Sequence, residues 1–334
     1  MLRTARRPAP LLLLAILAVV ALAAGACGGD STSADGDTTS ADSGSDDGNA
    51  DGAFPVTIEH AYGSTTIDEV PERIVSLETA WTDVLATMDH PPIGYIGDPS
   101  APDGFPWRGD VLDGSTEIAA TTELPWEQIA AMEPDLIVVG YFAQDQGDYD
   151  RLTAIAPTIA LLGDSQVDKW QDLTTTAGRV LGEPAEAQAV IESVDGDVAE
   201  VAETLPGLKD RTFSFANYVE GDGIYVLADP EDGANVLFGQ LGMVIPEEIR
   251  AEADQGRLQL SMEQIGMLDG DLLLALLNGT DPSGIAGWAQ LPAVESGAVV
   301  EMDYPLAVAL NTPTPLSIPW ALEQIRPQLE LAAG

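Results

Sequence analysis

Carboxylates are abundant in this sequence, but the thiol and imidazole side chains that bind metals or act as nucleophiles are few. Its 334 residues include one cysteine, Cys27, and two histidines, His60 and His90. One thiol cannot form an intramolecular disulfide or a four-thiolate zinc site, and two imidazoles are too few for a three-histidine metal site. Carboxylates without imidazoles favour hard cations and do not select zinc or manganese. We therefore predict no metal site in the protein.

The sequence motifs of enzymes are also missing. There is no Gly-x-Ser-x-Gly nucleophile elbow, no His-Glu-x-x-His and no glycine-rich phosphate loop with a lysine. Residue type alone leaves a glycosidase-like carboxylate pair open, but with 55 acidic residues any chosen pair is uninformative. We predict no catalytic residue and a protein that is not an enzyme.

The net charge and the hydrophobic content of the chain exclude further classes of function. The 55 acidic residues face only 13 lysines and arginines, which gives a formal net charge of −42 and a pI of about 4.1. Such a chain cannot bind nucleic acid by neutralising phosphates. Because 45% of the residues are hydrophobic, the chain can build a large core, and its length suits roughly two domains.

Cys27 lies at the end of a segment that predicts export. Arginines precede an apolar run over residues 11–24, which at about 14 residues is shorter than the roughly 20 that span a membrane. The residues Ala24-Gly25-Ala26-Cys27 resemble a bacterial lipobox, although Ala24 stands where leucine is usual. We predict a signal peptide over residues 1–26 and a lipidated Cys27, which anchors the protein on the outer face of the cell membrane. The alternative is a secreted protein with an incidental thiol.

Residues 27–53 are predicted to be a disordered acidic tether. From residue 28 onward this segment holds seven aspartates and no branched aliphatic or aromatic side chain. It cannot bury enough apolar surface to become ordered, and its like charges repel one another.

The rest of the chain predicts an α/β fold, since short β-rich runs alternate with amphipathic helical stretches. The predicted strands form two groups: 74–77, 93–96, 136–139 and 158–162, then 212–216, 224–227, 272–277 and 298–302. We predict an N-terminal lobe over 54–165, a helical connector over 166–206 and a C-terminal lobe over 207–334. The connector is predicted to contain one long helix, over about 184–205, because Pro184 suits a first helical position and apolar residues then recur every three or four.

Five stretches of the sequence together resemble the iron–siderophore binding proteins of ATP-driven importers. They are residues 56–67, 70–77, 124–138, 260–265 and 287–299. The resemblance covers essentially the whole predicted folded part, and it implies two Rossmann-like lobes joined by a single long helix, with a ligand cleft between them. It also implies an extracytoplasmic, monomeric substrate-binding lipoprotein that serves an ABC permease and its ATPase.

The resemblance assigns a docking role to one glutamate in each lobe. Glu127 and Glu263 each precede Gln-Ile in a predicted helix that leads into a strand, which places them in equivalent positions of the two lobes. In the family, such glutamates meet arginines of the permease, and exposed carboxylate–guanidinium pairs set register and association rate. The alternative is that both are solvated glutamates on helix surfaces.

The ligand of such a fold lies at the carboxyl ends of the strands. Candidate ligand-binding residues that follow predicted strands are Trp81, Tyr141, Phe142, Asn217, Tyr218, Asn278 and Tyr304. Trp107 and Arg108 are added because the loop at 97–113 is long enough to overhang a cleft. Aromatic side chains suit a bulky, partly apolar iron chelate.

The scarcity of basic residues predicts the charge of the ligand. Polyanionic catecholate or citrate complexes need several convergent cations, and only ten lysines and arginines follow the predicted signal peptide. We therefore expect a neutral or cationic hydroxamate-type ferric siderophore, with Arg108 as a hydrogen-bond donor, and no other cofactor. A cobalamin or haem carrier of the same fold, and an extracellular sensor without a permease, remain alternatives.

Overall fold

The computed structural model describes residues 54–120, 124–163 and 167–334. The predicted signal peptide, Cys27 and the predicted tether lie outside these residues. No helix within the described ranges is both long enough and apolar enough to cross a membrane.

The first lobe is built on a parallel five-stranded sheet. A hairpin of β1 (Val56–His60) and β2 (Gly63–Ile67) precedes it. The sheet comprises β3 (Ile74–Leu77), β4 (Gly94–Ile96), β5 (Thr116–Ile118), β6 (Leu136–Val139) and β7 (Thr158–Ile159), in the order β5-β4-β3-β6-β7. Every residue of β3 and β6 is buried, as expected for strands covered on both faces by helices. Those helices are α1 (Thr79–Thr87), α2 (Trp126–Ala131) and α3 (Gln146–Thr153).

One long helix connects the lobes, and it is preceded by a helix that packs on the first lobe. The preceding helix, α4 (Trp170–Leu181), packs on α1 and ends at Gly182, whose φ of 73° is the left-handed conformation that glycine adopts most readily. The long helix, α5 (Pro184–Thr204), has 21 residues and is therefore roughly 31 Å long. Its buried residues recur every three, four or seven positions: Ala187, Val194, Val198 and Val201. The predicted long helix over 184–205 is confirmed.

The second lobe repeats the strand order of the first. Its sheet comprises β8 (Phe213–Val219), β9 (Gly223–Leu227), β10 (Arg257–Leu260), β11 (Leu272–Leu276) and β12 (Val299–Met302), in the order β10-β9-β8-β11-β12. Strands β8, β11 and β12 are parallel, whereas β9 runs antiparallel to β8 and β10. The surrounding helices are α6 (Gly233–Gln240), α7 (Glu247–Glu252), α8 (Pro292–Ser296), α9 (Tyr304–Asn311) and α10 (Ser317–Ala333).

The predicted α/β architecture of two lobes is confirmed, with differences in detail. Each of the eight predicted strands overlaps an observed one, but the strand predicted over 158–162 shortens to the two residues of β7. Strands β5 and β10, which are short edge strands with polar residues, were not predicted, and neither was the β1–β2 hairpin. The lobe boundaries near residues 165 and 206 stay a prediction.

The loop at 97–113 begins at the carboxyl end of β4, but its later part does not overhang the cleft as expected. Its Phe105 and Trp107, both less than 10% exposed, belong to the apolar core of the second lobe. The Trp107 ring lies 5.4 Å from that of Trp320 on α10, measured between ring centroids. The loop therefore fastens the first lobe to the second through buried apolar contacts.

A buried carboxylate completes this joint. Asp83 of α1 is fully buried and accepts three hydrogen bonds of 2.7 Å, from Trp107 Nε1, Arg108 Nε and Thr314 Oγ1. Thr314 comes from the second lobe, just before α10, and is itself fully buried. Because a buried charge is tolerated only when it is paired and hydrogen-bonded, these donors make the joint a specific contact between the lobes.

Candidate functional site

The candidate site is the cleft where the carboxyl ends of the two sheets face each other. Asp98 lies two residues after β4 in the first lobe, and Tyr304 lies two residues after β12 in the second. The Tyr304 hydroxyl donates a 2.8 Å hydrogen bond to Asp98 Oδ2 across the cleft. Because ligands of open α/β sheets bind at this end of the strands, the cleft is the expected ligand site.

A pair of aromatic rings forms the wall of the first lobe. Tyr141 and Phe142 directly follow β6 and its Gly140, and their rings stack with centroids 4.5 Å apart. Tyr141 is 56% exposed, which is more than is usual for a large aromatic side chain. Beside it is a cavity of about 400 Å³, lined by Tyr62, Tyr141, Ala143, Gln144, Leu161 and Val167. This wall offers aromatic surface to a bulky ligand.

Polar groups form the facing wall of the second lobe. Asn278 follows β11 with a φ of 52°, and its Nδ2 donates to Asn217 Oδ1 at 2.7 Å and to the Tyr218 carbonyl at 2.8 Å. These bonds tie the carboxyl ends of β8 and β11 together. Asn278 is exposed, while Asn217 and Tyr218 are half-buried. The wall thus presents amide and carbonyl groups beside one phenol.

Two carboxylates that were not singled out from the sequence, Asp98 and Glu78, follow β4 and β3 at the cleft end of the first sheet. Glu78 directly follows β3 and caps α1 by accepting a 2.9 Å hydrogen bond from Trp81 N. Burial raises its pKa to about 7, with smaller contributions from the charges of Asp168 and Asp83. Gly140 leaves room for it, because a Cβ there would lie 2.4 Å from Glu78 Cγ. A carboxylate directly after a predicted strand was the pattern that could have identified Glu78.

Two phenols of the cleft, Tyr304 and Tyr141, remain protonated at neutral pH. Burial and the hydrogen bond to Asp98 raise the pKa of Tyr304 to about 12. Burial, followed by the charges of Asp98 and Glu78, also raises the pKa of Tyr141. Both side chains therefore act as neutral hydrogen-bond donors and aromatic surfaces.

Basic side chains of the described part are engaged elsewhere. Five of the ten pair with carboxylates: Arg108 with Asp83, Lys169 with Glu231, Arg211 with Asp271, Arg257 with Asp232 and Arg326 with Glu330. Arg73 and Arg179 donate to backbone carbonyls, and Arg151 lies over the Trp126 ring. Lys209 and Arg250 belong to the amino ends of the second sheet, away from the cleft.

Six of the nine predicted ligand-binding residues lie at the cleft. They are Tyr141, Phe142, Asn217, Tyr218, Asn278 and Tyr304, and their contact with a ligand stays a prediction. The placement of the other three at the cleft rim is wrong. Trp81 is 1% exposed because it faces the core from α1, while Trp107 and Arg108 are buried in the joint between the lobes.

The two predicted docking glutamates lie at equivalent points of the lobes. Glu127 is exposed in the first turn of α2, which follows edge strand β5. Glu263 is exposed in the first turn of a 3₁₀ helix, Met262–Met267, which follows edge strand β10. Each therefore stands at the carboxyl-end side of its sheet, the side on which the cleft opens. Their role in docking stays a prediction.

A larger cavity of about 970 Å³ lies between the lobes on the flank of the molecule. Residues of β1, α4 and α6 line it, and the ion pair between Lys169 and Glu231, 2.8 Å long, joins its two sides. It shares Val167 with the smaller cavity, but none of its lining residues directly follows β6, β11 or β12, where the exposed aromatic and amide side chains are. We regard the cleft as the candidate site for this reason.

The raised pKa of Glu78 predicts how stability depends on pH. Its folded-state pKa of about 7 lies above the ordinary value of 4.5, so between these pH values the folded protein holds a proton that the unfolded chain has released. The stability that this proton provides is fully present below the ordinary pKa and is lost as the pH rises through 7. We expect Glu78→Gln to gain stability relative to the wild type between pH 5 and pH 8, measured by urea unfolding. Parallel pH profiles of the two proteins would contradict this.

Most of the chain is similar in sequence to known proteins. The sequence profile of the periplasmic binding protein family matches residues 74–306. The chain is similar to the probable siderophore-binding lipoprotein YfiY of Bacillus subtilis, with 27% identity over 74% of this chain and 80% of the relative. It is equally similar, at 27% identity, to the Fe(3+) dicitrate-binding periplasmic protein FecB of Escherichia coli, over 78% of this chain and 84% of the relative.

A solved structure shares the fold. It is a periplasmic solute-binding protein from Mycobacterium smegmatis, which superposes with a TM-score of 0.72 at 25% identity and covers 84% of this chain and 99% of its own.

Proposed function

This chain belongs to the periplasmic binding protein family, and on that premise we propose that it captures a ferric siderophore in its cleft and delivers it to the permease of an ABC importer. Members of this family are binding proteins, and the relatives are described as periplasmic proteins or lipoproteins, so the chain acts outside the cytoplasm. The observation that carries the proposal is the exposed Tyr141–Phe142 pair at the carboxyl end of β6, opposite the amides of the second lobe. Aromatic surface with a few fixed polar groups suits a large, partly apolar chelate.

A hydroxamate-type ferric siderophore, neutral or cationic, is the ligand we favour. The cleft offers aromatic, amide and carboxylate groups, and an anionic complex would find no free cation among the described residues that line it. The chain is proposed to act as a monomer with no cofactor of its own. Arg108 is not part of this proposal, because its guanidinium is buried against Asp83.

Haem and cobalamin receive less support from the described residues. Both histidines are engaged away from the cleft: His60 is 8% exposed and hydrogen-bonded to Thr65, and His90 contacts Glu183. Burial lowers the pKa of His60, so its ring is neutral, and its Nε2 lies within hydrogen-bond distance of the Thr65 and Tyr149 hydroxyls. Neither imidazole is placed to act as an axial ligand.

The test of the proposed function is a titration of the protein with a panel of ligands. The panel holds ferric hydroxamates, a ferric catecholate, haem and cobalamin, and binding is measured by quenching of tryptophan fluorescence. We expect saturable quenching by a ferric hydroxamate at sub-micromolar concentration, whereas the metal-free chelator binds weakly. Binding of haem or cobalamin alone would replace the siderophore proposal, and no response to any ligand would favour an uptake-independent sensor.

Attachment to the membrane is proposed to depend on Cys27. Burial of the acyl chains of a lipidated cysteine holds a protein at the membrane surface, and the relative YfiY is itself described as a probable siderophore-binding lipoprotein. We expect Cys27→Ser to move the protein from the membrane fraction to the medium or periplasm, measured by immunoblotting of fractionated cells. A Ser33→Ala protein serves as the matched control, and retention of Cys27→Ser at the membrane would contradict lipidation.

A further inference from the structure

We infer that the ligand carries a positively charged ammonium group and that Asp98 selects for it. The inference rests on the proposed function and deepens it, because it specifies which ferric siderophores the cleft accepts. The cleft itself is established as the candidate site on other grounds, namely the fold and the exposed aromatic pair. What remains to be explained is the charge that this site contains.

The contacts of Asp98 leave its charge without a counter-ion. Its Oδ2 accepts from the Tyr304 hydroxyl at 2.8 Å, and its Oδ1 accepts from Ser100 N at 2.8 Å. Both donors are neutral. Glu78 likewise accepts from the Trp81 backbone amide and has no cationic partner. The Asp98 carboxylate is therefore oriented by neutral groups and its negative charge stays available to a ligand, whereas Glu78, with a pKa of about 7, is protonated in part of the molecules at neutral pH.

The surroundings strengthen the negative potential. The charges that act on Glu78 and Tyr141 are those of carboxylates, and Arg108, whose Nη2 donates to the Thr79 carbonyl next to Glu78, is paired with Asp83. Further carboxylates follow the strands at this end of the sheets: Asp145, Glu220, Asp222, Asp281 and Asp303. A cleft lined by charges of one sign concentrates ligands of the opposite sign and raises their association rate.

The phenols provide the second half of an ammonium site. Tyr141 is near enough to Asp98 and Glu78 for both charges to affect its titration, and 56% of it is exposed. A cation is attracted to the face of an aromatic ring as well as to a carboxylate. An ammonium group between the Tyr141 ring and Asp98 would therefore be stabilised from two sides.

The same arrangement disfavours anionic complexes. A ferric citrate or tris-catecholate would lose water beside Asp98 and find no guanidinium or ammonium group in exchange. The name of the relative that binds Fe(3+) dicitrate therefore does not predict the ligand of this chain. Selection here combines attraction of a cation with repulsion of an anion.

The test uses two ferric hydroxamates that differ in one charge. Ferrioxamine B carries a free amine that is protonated at neutral pH, and its N-acetyl derivative is neutral with the same iron chelate. Calorimetric titration of the mature chain carrying Cys27→Ser is expected to give a Kd at least tenfold lower for the amine form. Asp98→Asn is expected to reduce the ratio below threefold. High salt is expected to shrink the ratio in the wild type.

The matched control for the loss of one charge is Glu200→Gln on α5. Each outcome of the titrations has a distinct meaning. Equal affinity for the two ligands, or an unchanged ratio in Asp98→Asn, would overturn the inference and leave siderophore binding intact. Tighter binding of a ferric citrate or catecholate would also overturn it. Failure of every ferric complex to bind would remove the proposed function and this inference with it.

Discussion

Replacing Glu127 and Glu263 together by alanine is expected to lower siderophore-dependent uptake by at least tenfold while the affinity for the ligand stays unchanged. Each side chain is exposed in the first turn of the helix that follows an edge strand, and the two occupy equivalent points of the lobes. Removing one partner of a charge pair that is desolvated at an interface costs about 2–5 kcal/mol, and each 1.4 kcal/mol is a factor of ten. Uptake of ⁵⁵Fe-siderophore by whole cells measures the effect.

The control for this prediction is a second pair of exposed glutamates. Glu192→Ala with Glu200→Ala removes the same charge from α5, away from the cleft-side face of both sheets. We expect this pair to retain normal uptake. Normal uptake in the Glu127→Ala, Glu263→Ala protein would contradict a docking role and support a sensor that works without a permease.

Asp83→Ala is expected to lower the free energy of unfolding by about 3–5 kcal/mol. The substitution leaves the Arg108 guanidinium, whose side chain is 7% exposed, without its carboxylate, and it also frees the Trp107 indole N–H and the Thr314 hydroxyl. Breaking a buried ion pair on one side is much more costly than removing a surface charge, because the remaining charge has lost both water and partner. Urea unfolding followed by circular dichroism measures the change.

An exposed aspartate provides the comparison. Asp281 is exposed and accepts only from Ser283 N, so Asp281→Ala is expected to change stability by no more than about 1 kcal/mol. A loss of less than 1 kcal/mol in Asp83→Ala would show that the buried network between the lobes contributes little. We expect the double variant Asp83→Ala, Arg108→Met to recover part of the lost stability, because it removes the unpaired guanidinium charge. If the network contributes little, the double variant would recover nothing.

The fold could be predicted well because its determinants are local in the sequence. The continuous apolar runs of β3, β6 and β11 bounded the strands to within a residue, and Pro184 with the apolar stripe of α5 located the long helix. The short edge strands β5 and β10 escaped prediction because three or four residues with polar members carry no clear pattern. Their place in the sheets depends on pairing with distant neighbours.

The site could be predicted only in part, since burial depends on tertiary packing. Tyr141 and Tyr304 follow strands and lie at the cleft, but Trp81 also follows a strand and faces the core, because the turn after β3 is a helix whose apolar side covers the sheet. Arg108 looked like a free donor in a polar loop. Its partner Asp83 is 25 residues away in the sequence, and the only hint was a carboxylate among apolar residues of a predicted helix.

Capture of a ferric siderophore in the cleft is tested most directly by the affinity of a Tyr141→Ala protein. Tyr141 is the most exposed aromatic side chain at the cleft, and anchoring aromatics of this kind commonly contribute more than 1 kcal/mol to binding. Val70→Ala, at an exposed position before β3 and away from the cleft, is the control. Calorimetric titration with a ferric hydroxamate is expected to give a sub-micromolar Kd for the wild type and for Val70→Ala, and a Kd at least tenfold higher for Tyr141→Ala. The same Kd in all three proteins would place the ligand outside this cleft.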